Sequence, residues 1–329
     1  MDVTSRVLGL AYRRPRVLLV EAPGGRVLRM RAQDELAARG WGLAAGPASA
    51  DLLAVGGSPG PQLQDRVDAL WDQLPGPRSR SYCSSVESLG ADLTSGRDQL
   101  LNLGWQRADV ARRGVGSEAD DGSNDSDSAE ADGDHGGMDH GGMDLPGGLT
   151  MSGSGQDRDG LQLEQSQLEL GPVLPGWPAG VLALLSLQGD VAVDVELRLL
   201  DDRPVDSIDG DVDRLDRAQA LLGLAGSRHA AAARRARASA MDGRPASTAA
   251  LARTVARDRV LRWSLRGLTT VTGDDLWSEL LALLDDSASS DPVSLTAAGE
   301  ALTGRELAAL RLALAAAPAL VPDRQPARA

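Results

Sequence analysis

The chain has 329 residues, is 42% hydrophobic and carries a formal net charge of −13. This length is enough for two domains of ordinary size, each with its own hydrophobic core. The single cysteine, Cys83, excludes an internal disulfide, and the acidic balance lacks the basic excess that nucleic-acid binding requires, so no nucleic acid is expected as a partner. Every basic residue is arginine, a bias typical of a GC-rich bacterial genome.

The N-terminal region alternates between strand and helix patterns. The runs "RVLLVEAPGG" and "DLLAVGG" are continuous apolar stretches that end in Gly-Gly turns, as buried strands do. The segments "DELAARGWG" and "PGPQLQDRVDALWDQLPGP" have helical spacing, and a further helix is predicted from about Val86 to Arg112, after a polar segment through Tyr82. This order predicts an α/β domain over residues 1–116, with a small parallel sheet flanked by helices.

The middle of the chain is strongly acidic. Residues 117–160 hold twelve acids against one arginine, a balance of −11, so only −2 remains for the rest of the chain. The segment has low hydrophobicity and no periodicity, and it is too poor in apolar residues to offset the entropy of ordering it. We therefore predict a disordered acidic linker between two domains.

Within this segment the pentad His-Gly-Gly-Met-Asp occurs twice in succession. Thioether and imidazole groups suit soft or borderline metals such as copper, chiefly Cu(I). The repeat therefore makes a candidate metal site of four residues, His135, Met138, His140 and Met143. The alternative is a tract of linker in which a tandem duplication copied one pentad, because no groups that would orient these ligands are visible nearby.

The C-terminal region, residues 161–329, changes from strand to helix patterns. Leu161 and Leu163 alternate with polar residues, and the runs Val181 to Leu187 and Val191 to Leu200 flank a Gln-Gly-Asp turn, which predicts a β-hairpin. Three helical segments then end at glycines, namely Gly226, Gly243 and Gly267, and two more helices are predicted near "GDDLWSELLALLDD" and "GEALTGRELAALRLALAAA". The pattern predicts an α+β domain built from a hairpin and helices.

Some side chains have a structural interpretation from the sequence alone. The arginines of "RHAAAARRARASA" are interpreted as a solvated helix face, and His229 as a solvated or capping residue. Each of the six tryptophans is interpreted as part of a core, because the chain has no phenylalanine to supply large packing surfaces. No nucleophile and base are arranged as a catalytic set, so no catalytic residue is assigned.

Two stretches resemble a known pair of subunits. "WDQLPGPR", from Trp71 to Arg78, resembles the Tyr-Asp-Gln-Met-Pro-x-Pro-Arg run of the small, cluster-carrying subunit of respiratory complex I and of nickel–iron hydrogenases. "LGPVLPGWPAGVLALLSLQGDV" is similar to the N-terminal hairpin of the large, quinone-facing subunit. The second match is carried by Gly171, Pro172, Pro178, Gly180, Val181, Leu182, Gly189, Asp190 and Val191. The resemblance covers about residues 16–85 and 171–200.

The departures from that family are equally specific. Glu21-Ala22-Pro23-Gly24 stands where the small subunit has an adjacent cysteine pair, and Cys83 falls short of the spacing of the family's later cysteines. The histidines of the large subunit's Gly-Pro-x-His-Pro turn are also missing, around Val173, Leu174 and Trp177. The resemblance therefore implies the fold without the cofactor, and we expect no iron–sulfur cluster and no quinone reduction by this chain alone.

Two functions are open at this point. The first is a non-catalytic accessory or assembly protein, a fused and cluster-less relative of these subunits that associates with a membrane-bound NADH-quinone oxidoreductase or hydrogenase. The alternative is a copper or nickel handling protein that uses the His/Met repeat. No apolar run reaches the ~18 residues of a spanning helix, and the N-terminus lacks a signal core, which predicts a cytoplasmic protein, either free or peripheral at the inner face of the membrane.

Overall fold

The structure is a computed structural model that describes residues 9–118, 153–156, 162–201, 208–245 and 248–323. It has an α/β domain up to residue 118 and an α+β domain from residue 153 onward. This confirms the predicted fold classes. In the part of the chain that is described, no helix has the length and apolar character needed to cross a membrane.

The N-terminal domain is a four-stranded parallel sheet with helices packed on it. Its strands are β1 (Arg16–Glu21), β2 (Gly42–Leu43), β3 (Leu52–Gly56) and β4 (Ser79–Cys83), in the order β2-β1-β3-β4. Its helices are α1 (Arg26–Arg39), α2 (Pro61–Gln73), α3 (Leu89–Leu100) and α4 (Leu103–Glu118). All five residues of β3 are buried, which explains its uninterrupted apolar sequence.

One strand of this domain was not predicted, and one prediction of a helix was wrong. The segment that ends near Tyr82 is a strand, β4, whose small residues Ser79 and Ser81 face inward while Tyr82 faces outward. The single helix predicted from Val86 to Arg112 is two helices, because Asn102 interrupts it and its side chain accepts a hydrogen bond from the backbone N–H of Trp105 at 3.0 Å. An asparagine in this position caps the start of α4.

The C-terminal domain begins with a five-stranded antiparallel sheet. Its strands are β5 (Gly153–Gln156), β6 (Gln162–Leu170), β7 (Val181–Gln188), β8 (Val191–Leu199) and β10 (Arg305–Glu306), in the order β10-β8-β7-β6-β5. Strands β7 and β8 are the predicted hairpin, closed by Gly189 at a φ of 61°, a left-handed conformation that favours glycine.

The predicted linker of residues 117–160 is shorter than expected at both ends. Residues 117 and 118 end helix α4, and Gly153–Gln156 form β5, which pairs with the first residues of β6. The rest of the predicted linker, residues 119–152 and 157–160, lies outside the described residues.

Helices pack on the second sheet and beside it. They are α5 (Gly210–Leu224), α6 (Ala230–Met241), α7 (Thr248–Ala256), α8 (Arg259–Leu265), α9 (Leu276–Asp285), α10 (Leu295–Leu302) and α11 (Leu307–Ala316). A two-stranded sheet of β9 (Val293–Ser294) and β11 (Leu320–Val321) completes the domain.

The helix predicted around "TAALARTVARDRVLRWSLRG" is split into α7 and α8, because Asp258 accepts a hydrogen bond from Leu261 N at 3.1 Å and caps α8.

The last predicted helix is also two. Helices α10 and α11 are separated by Gly304, at a φ of 83°, and by β10, which pairs with β8. The backbone N–H of Gly304 donates to the carbonyl of Ala192 at 2.7 Å. Glycine adopts this positive φ without steric strain, so the chain can leave the helix at Gly304 and pair with the sheet.

The hydrophobic cores of the two domains are joined. Leu182 on β7 and Leu200 after β8 are buried in the same cluster as Leu18, Val20 and further residues of the first sheet. The two domains therefore share a hydrophobic core where they meet, and their contact is not limited to surface residues.

Candidate functional site between the two domains

A buried carboxylate from the second domain caps a helix of the first. Asp201, 8% exposed, accepts hydrogen bonds from the backbone N–H groups of Gln62 and Leu63 at 3.2 Å each, at the N-terminus of α2. A negative charge is favourable there, because the free N–H groups and the helix dipole are positive. A Cβ on Gly60 would lie 2.2 Å from the carboxyl carbon of Asp201, so only glycine leaves room for this contact.

A second buried carboxylate is shared by three arginines. Asp216 on α5 accepts from both terminal nitrogens of Arg29 at 2.8 and 2.6 Å, from Arg26 at 3.0 Å and from Arg237 at 2.8 Å. Its side chain is only 5% exposed. Burial alone would raise the pKa of Asp216, but Arg29 and the other two guanidiniums hold that pKa well below its ordinary range. The group is therefore an anion at neutral pH, and it joins α1 of the first domain to α5 and α6 of the second.

The charges around Asp216 continue into a network across the interface. Arg26 also pairs with Asp213 at 2.6 Å, and Arg29 with Glu21 at 2.6 Å. Asp34 on α1 also forms an ion pair with Arg234 on α6 at 2.8 Å, which is a second contact between these two helices. Acids and guanidiniums alternate through the cluster, and this offsets much of the cost of burying each charge.

The arginine-rich helix α6 was therefore interpreted wrongly from sequence. Arg237 is completely buried, and besides Asp216 it donates to the carbonyl of Met30 at 3.1 Å. Burial lowers the pKa of Arg237, although Asp216 partly opposes this effect. Part of the helix face that was expected to be solvated forms the contact between the two domains.

A cavity of about 370 Å³ lies beside this network, between the domains. Its walls come from β1 and α1 of the first domain, and from the turn at residues 172–178, α5 and residues 314–320 of the second. Small-molecule sites in proteins have volumes of roughly 300–1,000 Å³ and are common where domains meet. The cavity has the size and the place of a ligand site.

The turn that forms one wall is fixed by its tryptophan. Trp177 is 8% exposed, and its Nε1 donates to the carbonyl of Val181 at 2.7 Å. A Cβ on Gly171, which has a φ of 93°, would meet this same Nε1 at 2.4 Å. The glycine therefore lets the turn close on the indole, and the turn presents Leu174 and the neighbouring prolines to the cavity.

Two glutamines supply hydrogen-bond donors at the charged end of the cavity. Gln33 accepts from Arg237 at 2.8 Å through Oε1, and Gln219 accepts from the same arginine at 3.1 Å through Oε1. Because each oxygen faces a guanidinium, each amide NH₂ is turned away from it, and neither NH₂ has an acceptor among the described residues. Both side chains line the cavity. They can donate to acceptor oxygens of a bound molecule.

The electrostatics of the cavity favour an uncharged ligand. The acids on its wall are already engaged: Glu21, Asp213 and Asp216 pair with arginines, and Asp201 accepts from the N-terminus of α2. An added ion would have to break one of these contacts in a buried setting, where an unpaired charge is costly. A molecule with an apolar body and neutral acceptor oxygens fits better, with the apolar part against Leu174 and Trp177.

The sequence-predicted metal site is not part of this region. His135, Met138, His140 and Met143 lie outside the described residues. Within the residues that are described, no three histidine, cysteine or acidic side chains are grouped closely enough to hold a metal ion. The copper assignment stays a prediction.

The remaining histidine and the cysteine are both buried. His229 is not solvated, since it is 7% exposed; it occupies the N-cap position of α6 as the capping alternative predicted, but its side chain makes no cap bond, and its Nε2 lies 3.1 Å from Oδ2 of Asp258. Cys83, 1% exposed, ends β4, and burial, with a smaller effect of Asp92, raises its pKa to about 11. A single protonated thiol is not the ligand set of an iron–sulfur cluster.

The run that resembles the small subunit has a structural role. Arg78 is 2% exposed, and its guanidinium lies 4.1 Å from the ring centroid of Trp71 and donates to Asp109 at 2.9 Å. Burial opposes the charge of Asp109, but Arg78 lowers its pKa. The "WDQLPGPR" segment thereby fastens α2 to α4.

Sequence reasoning assigned no residue of this cavity to a site. One sequence signal for the site is a charged residue among apolar ones, because Asp216 lies beside Val212 and Leu215 on the buried face of α5. In comparisons with known proteins, no family model, no curated protein and no solved structure matches this chain.

Proposed function

We propose that this chain is a non-catalytic accessory or assembly protein, related to complex I and hydrogenase subunits, that associates with a quinone-linked redox complex. We further propose that it holds a neutral, mainly apolar molecule between its two domains. The observation that carries the proposal is the cavity of about 370 Å³ at the junction of the half that resembles the small subunit and the half that resembles the large one. The network around Asp216 supports a single body that presents both halves to a partner in a fixed arrangement.

The chemistry of the cavity favours a quinone-type ligand. A benzoquinone head is uncharged and has two carbonyl acceptors, which match the free amide NH₂ groups of Gln33 and Gln219. Its apolar substituents would contact Leu174 and Trp177. With Cys83 buried and protonated, the role proposed is to bind such a molecule without reducing it.

Ligand binding is tested with decylubiquinone as the probe. Because Trp177 forms part of the wall, we expect saturable quenching of tryptophan fluorescence as the quinone is added. Replacing Ala220, which lines the cavity, by Trp should weaken binding more than tenfold, since the larger side chain fills the space. The matched control is Ala108→Trp on the exposed side of α4, which should bind normally.

Gln33→Leu combined with Gln219→Leu separates volume from hydrogen bonding. This pair removes both donors while keeping the apolar walls, and we expect a loss of about tenfold or more in affinity. Quenching that does not saturate, or binding that is unchanged by Ala220→Trp, would rule out the cavity as the site.

The partner is tested by affinity purification of the tagged full-length chain from its native cells. We expect subunits of a NADH-quinone oxidoreductase or a hydrogenase to co-purify. Changing His135, Met138, His140 and Met143 together to Ala should leave this association intact. Loss of the partner, or of bound copper, in that variant would favour the metal-handling alternative.

A further inference from the structure

Helix α8 leaves a tryptophan in solvent. Trp263 is 84% exposed and Val260 is 73% exposed, contrary to the expectation that every tryptophan belongs to a core. Leu261 and Leu265 are buried and hold the helix on the domain. At 100° per residue, Trp263 lies opposite these two leucines, at the outermost point of the helix.

Arginines surround this apolar point. Arg259, Arg262 and Arg266 are all exposed; Arg259 is one turn before Trp263 on the same face, Arg262 is its neighbour in the helix, and Arg266 follows the end of the helix. Arg259 and Arg262 have no ion-pair partner among the described residues, and Arg266 lies near Asp275, whose pKa it lowers. From residue 250 to 270 the chain has five arginines and one acid, Asp258, a local balance of +4 in a protein of net charge −13.

The acids nearest this side are engaged with backbone groups, and Asp275 accepts from the N–H groups of Gly267 and Ser278 at 2.7 and 3.0 Å. Asp258 lies at the N-terminus of α8, where it accepts from Leu261 N at 3.1 Å and contacts His229 at 3.1 Å. It is engaged in capping the helix and fixing α6. The outer side of α8 is therefore cationic with an apolar point at its centre.

We propose that this side of α8, defined by Arg259, Val260, Arg262, Trp263 and Arg266, docks the protein on an anionic lipid bilayer. Guanidiniums form paired hydrogen bonds with phosphate oxygens, and tryptophan favours the headgroup region, where its ring is half solvated. A side chain 84% exposed has no walls around it, so this surface projects outward, as suits insertion between headgroups. The proposal goes beyond the proposed function and does not depend on the cavity.

A bilayer accounts for both parts of this surface. A double-helical nucleic acid would satisfy the arginines through its backbone but, with its bases stacked on one another, would leave the exposed Trp263 and Val260 without an apolar partner. A protein partner usually receives an aromatic anchor in a pocket and requires a matching shape, whereas a lipid surface accepts a short projecting helix without one.

The test is co-sedimentation of the full chain with vesicles. Vesicles of phosphatidylglycerol and phosphatidylcholine should bind it, and vesicles of phosphatidylcholine alone should not. Each arginine near an anionic surface contributes about a fivefold factor, so Arg259→Gln, Arg262→Gln and Arg266→Gln together should reduce binding about 100-fold. Trp263→Ser should reduce it at least several-fold, because the apolar contact is lost.

Val110→Ser is the matched control, since Val110 is 59% exposed on α4 of the other domain and should have no effect. All positions changed are exposed, so thermal unfolding should match that of the parent chain. Double-stranded DNA and polyglutamate are assayed in parallel. The proposal is overturned if the chain ignores anionic vesicles, if the α8 variants bind them as well as the parent, or if DNA or polyglutamate binds as tightly and competes with the vesicles.

Discussion

Replacing Asp216 by Asn should destabilise the protein strongly. The change removes the one carboxylate that Arg26, Arg29 and Arg237 share, at contact distances of 2.6–3.0 Å and with 5% of the side chain exposed. Removing one member of a buried ion pair costs about 3–5 kcal/mol, because the remaining charges stay buried without compensation. A domain is stable by only about 5–15 kcal/mol in total.

The assay is urea unfolding followed by tryptophan fluorescence. The control is Asp98→Asn, whose carboxylate is 65% exposed and 3.8 Å from Arg97, a surface pair expected to contribute less than about 1 kcal/mol. The double variant with Arg29→Gln should recover part of the loss, with a coupling of about 1–3 kcal/mol. If Asp216→Asn lowers the free energy of unfolding no more than Asp98→Asn does, the network does not hold the domains together and the reasoning fails.

Three further outcomes are expected. Gly60→Ala should lower the free energy of unfolding by about 1–3 kcal/mol, because its Cβ would meet the Asp201 carboxyl at 2.2 Å, while Gly46→Ala, with nothing within 4 Å, should be near neutral in the same urea titration. Cys83, with a pKa raised to about 11 from an ordinary 9.0, should react with a thiol reagent about 100-fold more slowly in the folded protein than in urea, and equal rates would contradict its burial. The pKa of Asp216 is lowered on folding, so its contribution to the free energy of unfolding is complete above about pH 4 and is lost as the pH falls further. Asp216→Asn should therefore flatten the acid side of a plot of stability against pH. An unchanged slope would show that other carboxylates dominate the acid dependence.

The local patterns of the sequence were sufficient for the fold class. Apolar runs closed by glycines identified β1 and β3, and the alternation around Gly189 identified the hairpin of β7 and β8. These signals work because a buried strand needs consecutive apolar residues and a tight turn needs a residue that tolerates positive φ. Asn102 and Asp258 are residue types that cap helices, so the sequence contained a signal for both helix breaks. The apolar periodicity continues on both sides of each residue, and for this reason one long helix was predicted in each place.

The candidate site was decided by tertiary structure alone. Asp216 is 187 residues from Arg29, and Asp201 is 139 residues from the helix N-terminus that it caps, so no local pattern relates these partners. An arginine on an alanine-rich helix has the same sequence signature whether it faces water, like Arg235, or a buried carboxylate, like Arg237. The sequence determines which segments become strands and helices, because those choices depend on neighbours along the chain. Which charges are buried, and where a cavity remains between the domains, depends on how distant surfaces meet in the folded protein.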